Sequence, residues 1–142
     1  MVTYPQKFHA EAVAKSGIKG TWENMASEHK TECSIPEVYE GSGEAFSPEE
    51  FFLLSLQNCF IASFKVYADH KNLDFERISV SADLMVNIHD SKGPVMDSVE
   101  MNVNLSGVKD EQLARELVDK AIKDGFIFNS IRTTVKQNLN FA

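Results

Sequence analysis

Ser47 to Lys71 reads SPEEFFLLSLQNCFIASFKVYADHK, and this stretch decides the fold. Ser47 suits a helix N-cap, and Pro48 suits the first helical position, where its missing N–H costs nothing. Glu50, three residues after Ser47, completes a capping box, and Glu49 and Glu50 put negative charge on the positive end of the helix dipole. Phe51 to Phe64 holds no charged residue. Pro48 to His70 would run roughly 33 Å, the width of a small domain. A helix this apolar on most sides must be buried on most sides. Ser55, Gln57, Asn58 and Ser63 interrupt it, so a membrane span is not expected. The reading is a central helix wrapped by other elements, with Cys59 in its middle.

The 142-residue chain suits one domain over residues 1–142, burying about two-thirds of its unfolded surface. A formal charge of −7 without a basic run argues against nucleic acid and anionic membranes as partners. Met1 to Lys7 lacks the apolar segment of a leader peptide. Two cysteines, Cys33 and Cys59, make no disulfide framework. Without a CxxC pair, and with four scattered histidines, no zinc site is expected. The expected compartment is the cytoplasm.

Around the central helix the pattern is regular. Phe8, Ala10, Ala12 and Ala14 alternate with His9, Glu11, Val13 and Lys15 as a strand would. Gly17-Ile18-Lys19-Gly20 is a turn. Thr21–Ala26 and His29–Ile35 read as two more strands, completing an antiparallel meander. Gly41, Ser42 and Gly43 make Pro36–Phe46 a flexible loop feeding the helix. After the helix ends near Asn72, Ile78, Val80, Ala82, Leu84, Val86 and Ile88 alternate as a strand. Asp90–Pro94 is a hairpin turn, and Val99, Met101, Val103 and Leu105 return antiparallel. Lys109–Lys123 is a second helix with Leu113, Leu117, Ala121 and Ile122 inward and Glu111–Arg115 and Glu116–Lys120 as outward i,i+4 pairs. Gly125 is its stop, in the left-handed region. Phe126–Ile131 is irregular, and Val135–Phe141 is a last strand. The order β-β-β-α-β-β-α-β is α+β, with antiparallel sheets. One copy of these strands cannot cover so apolar a helix, so a two-fold homodimer is expected.

Cys59 has two readings. Most free cysteines are small buried hydrophobes. A reactive thiol needs a lowered pKa and access, and a mid-helix site gains nothing from its own N-terminal dipole. Cys33 reads as a strand residue without chemistry, and His70 as a charge at the helix C-terminus. Trp22, Tyr39 and Phe46 are core or interface aromatics, or else the lining of a ligand pocket.

Pro48-Glu49, Phe51-Phe52 and Cys59, read as P-E-x-L-(x)7-C, resemble the motif of the osmotically inducible / organic hydroperoxide resistance (OsmC/Ohr) family. Ile35-Pro36-Glu37 with Gly41 and Gly43, the meander, the hairpin and the second helix are similar too, so the likeness covers nearly the whole chain. It implies an intertwined homodimer with paired central helices. It implies reduction of organic hydroperoxides by a peroxidatic cysteine, here Cys59, with no cofactor. The family's glutamate, here Glu49, pairs with an arginine that steadies the thiolate. Glu49 and Cys59 lie roughly 15 Å apart along one helix, so antiparallel packing of two copies would be needed to join them. Two positions depart from the family. Gly125 falls where the family's second, resolving cysteine sits, in a C-P-V-S-N-like segment. The arginine's turn holds Lys19, which offers charge but not a bidentate fork. Cys33 could replace the missing thiol only if its Cα came within about 7 Å of that of Cys59. The implied functions are therefore two. One is a one-cysteine peroxidase using an external thiol. The other is a non-catalytic protein holding an apolar or thiol-bearing small molecule between subunits.

Overall fold

The capping box at Ser47 forms as expected. In a computed structural model describing every residue of Met1–Ala142 except Ser91, the Glu50 N–H donates to Ser47 Oγ at 3.1 Å. The Ser47 N–H donates to Glu50 Oε1 at 3.0 Å. Helix α1 then runs Pro48–His70. It ends in a Schellman motif: Asn72 takes φ 54°, the Asn72 N–H reaches Asp69 O at 3.1 Å and the Leu73 N–H reaches Ala68 O at 2.8 Å. Contacts divide the chain into two units, Met1–Phe51 and Phe52–Ala142, with the boundary inside α1.

The first unit is an antiparallel sheet ordered β1-β2-β3, from Glu11–Val13, Trp22–Ala26 and His29–Cys33. Only three residues of the expected Phe8–Lys15 strand pair, and all three are exposed. The small side chains of Ala10, Ala12 and Ala14 give that segment little apolar surface to bury. The loop after β3 is tied down along its length. It contains a 3-10 turn at Glu37–Tyr39. Ser34 Oγ donates to Ala45 O at 3.2 Å and accepts from the Ala45 N–H at 3.0 Å. A Cβ on Gly41 would overlap the Ile35 carbonyl, so glycine is needed there for close approach.

In the second unit β4 (Arg77–His89) pairs antiparallel with β5 (Gly93–Ser106). Val99, Met101, Val103 and Leu105 are buried, opposite Leu84, Ala82, Val80 and Ile78 respectively. A bulge at Met85/Val86 shifts the register, and beyond it Val86 and Ile88 are exposed rather than inward. The turn between the strands includes Ser91, which lies outside the described residues. Helix α2 spans Glu111–Asp124, capped by Asp110, whose Oδ1 accepts from the Leu113 N–H at 3.0 Å. The stretch expected to be irregular contains a one-turn helix α3, Phe126–Asn129.

The last strand β6 (Thr134–Phe141) pairs parallel to β5, so this sheet is mixed rather than antiparallel. The α2–α3 connection is the long crossover that parallel pairing requires. The expected outward ion pairs of α2 are replaced. Arg115 sits 5.0 Å from the centroid of the Phe141 ring, and Lys120 Nζ meets Asp124 Oδ2 at 3.0 Å.

Leu56, Phe60, Phe64 and Ala68, spaced four apart, form the buried stripe of α1 in one core with β5 and α2. Gln57 Nε2 donates to Val80 O at 2.9 Å, tying the helix to β4. The other side of α1 is not covered: Leu54, Asn58, Ala62, Lys65, Val66 and Asp69 are exposed. By length and composition alone α1 is long and apolar enough for a membrane span, but its buried stripe is spent on a protein core, as expected of a central helix.

Candidate active site

Cys59 is half-buried and free, three residues after Leu56 and one before Phe60, at the margin of the buried stripe of α1. The α2–α3 junction packs against it. A Cβ built on Gly125 would lie 3.2 Å from Cys59 Sγ, 2.8 Å from Ala121 O and 2.7 Å from Phe128 Cδ2. Gly125 has φ −62° and ψ 131°, so the expected left-handed conformation is absent. It ends α2 by donating its N–H to Ala121 O at 3.1 Å and starts α3 by accepting from the Asn129 N–H at 3.0 Å. The glycine is therefore required by space, not by backbone torsion. Gly125 thus lies beside the Cys59 sulfur.

In the first unit, Glu49 Oε2 is buried with no hydrogen-bond partner among the described residues. Lys19 does not supply one: its Nζ donates to Gly41 O at 3.3 Å. Trp22 and Phe46 both neighbour Cys33, Trp22 opposite it in the β2–β3 register and Phe46 through an isolated bridge. Tyr39 is half-exposed in the 3-10 turn. Phe46 lines a shallow cavity of about 460 Å³ with Glu44 and Glu50, to which Trp22 and Tyr39 do not contribute. Cys33 is 3% exposed, and its burial pushes the thiol above the ordinary range, with the Glu49 and Glu50 carboxylates adding to that. Such a thiol is mostly protonated near neutrality and a poor nucleophile.

The second unit holds a cleft of about 630 Å³ that sequence reasoning missed. Phe52, Val95, Met96 and Ile131 give it an apolar lining; Lys92, Arg132 and a His89–Asp97 contact of 2.7 Å give it charge. Its residues come from α1, the β4–β5 hairpin and the segment after α3, so no local spacing announces it. Phe52 is seven residues before Cys59, close to the same face of α1 and two turns away. Among the described residues no group of three or more His, Cys, Asp or Glu could hold a metal ion.

The family model of OsmC-like proteins matches residues 41–140, which takes in α1, Cys59 and Gly125. The chain belongs to the OsmC-like family. Solved structures agree at the level of fold. An OsmC-like protein of unknown function from Vibrio cholerae superposes with TM-score 0.82 at 20% identity, covering 95% of this chain and 99% of that one. An organic hydroperoxide resistance protein from Legionella pneumophila gives 0.71 at 21% identity, covering 99% of each. The organic hydroperoxide resistance protein OhrB of Bacillus subtilis gives 0.65 at 19%, covering 95% and 98% respectively. Among curated proteins no match is found. The OsmC-like fold thus stands on both the family match and the structural likeness, and two of these neighbours carry the hydroperoxide-resistance name.

Proposed function

We propose that this OsmC-like protein reduces organic hydroperoxides through Cys59 and an external thiol. The observation that carries the reading is the packing of the α2–α3 junction on the Cys59 sulfur, with glycine instead of a second thiol. The Cys59 thiolate attacks the distal peroxide oxygen. The O–O bond breaks, the sulfur becomes a sulfenic acid, and the alkoxide leaves and takes a proton as the alcohol. One external thiol then forms a mixed disulfide with loss of water. A second releases Cys59 and departs as the external disulfide. The cleft at Phe52, two turns along α1 from Cys59, has a volume suited to a small organic group.

A homodimer belongs to this reading. Leu54 and Val66 leave apolar surface exposed on α1, which a second copy would cover. In that pair, Glu49 of one copy would face Cys59 of the other. A cytoplasmic setting suits the two free thiols.

The second reading is a small-molecule binding protein. It is favoured by Lys19 engaging the Gly41 carbonyl instead of a carboxylate, which leaves Glu49 Oε2 without a cation among the described residues. One experiment separates the two. Mixing the protein with one equivalent of cumene hydroperoxide and trapping with dimedone should add a single adduct to the Cys59 peptide by mass spectrometry. With a monothiol present, the alcohol should accumulate beyond one equivalent. An unmodified Cys59 peptide would leave the binding reading standing.

A further inference from the structure

We propose that the cleft of the second unit binds an organic monoanion, a carboxylate on a compact apolar body, with Arg132 holding the carboxylate. The inference goes beyond the peroxidase reading, since Cys59 does not line the cleft and need not react. Phe52, Val95, Met96 and Ile131 supply apolar surface, and about 630 Å³ falls within the range of small-molecule sites. The two segments that carry most of the lining are joined to each other. Thr133 Oγ1 donates to Met96 O at 2.8 Å. The parallel ladder between β5 and β6 begins one residue later, where Thr134 pairs with Ser98. The Lys92 N–H closes the hairpin turn on His89 O at 2.9 Å. A ligand therefore meets walls that are already ordered, which spares it that cost on binding.

The charges lining the cleft select the head of the ligand. Asp97 Oδ1 is engaged by His89 Nε2 at 2.7 Å. Asp90 and Lys92 stand two residues apart in the hairpin turn and offset each other in charge. Arg132 is the cation left over. It is exposed, it comes from the segment after α3, and among the described residues it is in no ion pair. Its guanidinium is a planar, permanently charged fork that fits a carboxylate. A carboxylate seated there leaves the rest of the ligand to cover the apolar lining. A bare inorganic anion leaves that lining wet, a neutral ligand leaves the guanidinium unanswered, and a cation is repelled by it.

Titration calorimetry of the full chain with phenylbutyrate tests the site without any hydroperoxide. Phenylbutyrate should bind with a Kd of about 1 mM or tighter. Phenylbutyramide and phenylbutylamine carry the same body with a neutral and a cationic head. Both should bind about tenfold more weakly or worse. Inorganic phosphate at matched concentration should not displace phenylbutyrate. Arg132→Gln changes an exposed side chain and so spares the core. It should weaken phenylbutyrate by about tenfold and leave phenylbutyramide where it was. Amide shifts in nuclear magnetic resonance should gather at residues 95–97 and 131–133, and Cys59→Ser should leave the affinity unchanged. Equal affinity for acid and amide would overturn the proposal, as would an undiminished affinity in Arg132→Gln. Displacement by phosphate, shifts gathered elsewhere, or no binding up to about 10 mM would overturn it too. Loss of binding in Cys59→Ser would overturn the cleft as a site of its own. A chain inert to hydroperoxide defeats the peroxidase reading and leaves these affinities measurable.

Discussion

Cys33 and Cys59 are the same residue type in opposite settings. Cys33 is buried at a strand end beside Glu49 and Glu50, and its thiol is pushed up chiefly by that burial. Cys59 is half-buried on a helix. The sign is direct: a raised thiol pKa leaves less thiolate at any given pH, and thiolate is the nucleophile. Iodoacetamide at about pH 8 should therefore label the Cys59 peptide well before the Cys33 peptide. The gap should narrow as pH rises toward the elevated range of Cys33. Faster labelling of Cys33 would remove the basis for choosing Cys59. Gly125 belongs to the same scale. Its φ of −62° suits any residue, so Gly125→Cys meets no left-handed strain. It meets Ala121 O at 2.8 Å instead, which should cost about 1–3 kcal/mol by overpacking. Once the Phe128 ring has moved, the introduced sulfur is within reach of Cys59. Mild oxidation of the Gly125→Cys variant should join that sulfur to Cys59 in a disulfide, seen as a loss of two hydrogens in the intact mass. A folded variant that stays fully reduced under oxidant would show that the junction holds the two positions apart.

The start of α1 is set by reciprocal bonds between Ser47 and Glu50, at 3.1 and 3.0 Å. Ser47→Ala should cost about 1 kcal/mol in denaturant melts. Glu50→Ala should cost a comparable amount, through the orphaned Ser47 N–H and the lost dipole contact. Because the two side chains serve one box, the double variant should lose less than the sum. Strict additivity would mean that the bonds act independently. In the second unit, α2 is held by Asp110 at its cap and by Lys120–Asp124 in its last turn. The latter pair is exposed, so α2 owes its place to Ala114, Leu117, Val118 and Ala121 in the core.

Across the whole molecule, one face of α1 serves the core and the other is left open with Leu54 and Val66 on it. Burying such side chains is worth about 1.5–3 kcal/mol each when complete, enough to hold two copies together when several act jointly. Sedimentation at micromolar concentration should give about twice 15.9 kDa. Leu54→Asp with Val66→Asp should shift the mass toward that of one chain, since a buried carboxylate has no partner there. A natural chain sedimenting as a folded monomer would refute the dimer and the shared Glu49–Cys59 site built on it.

By itself the sequence determined the local elements. Ser47, Pro48 and Glu50 set the start of α1, the period-two apolar runs set β4 and β5, and the 3.6-residue stripe set α2, because capping and periodicity act over a few neighbouring residues. The P-E-x-L-(x)7-C motif also marked Cys59, since its spacing lies within one helix. Tertiary structure decided the rest. The parallel register of β6 depends on the α2–α3 crossover. The bulge opposite Met85/Val86 depends on strand pairing. Lys19 meets a carbonyl twenty-two residues away instead of a carboxylate. The need for glycine at 125 arises because Ala121 O, Phe128 and Cys59 converge on it from α2, α3 and α1. The cleft draws on three distant segments. Each of these follows from contacts between residues far apart in the chain, which no window of local sequence contains.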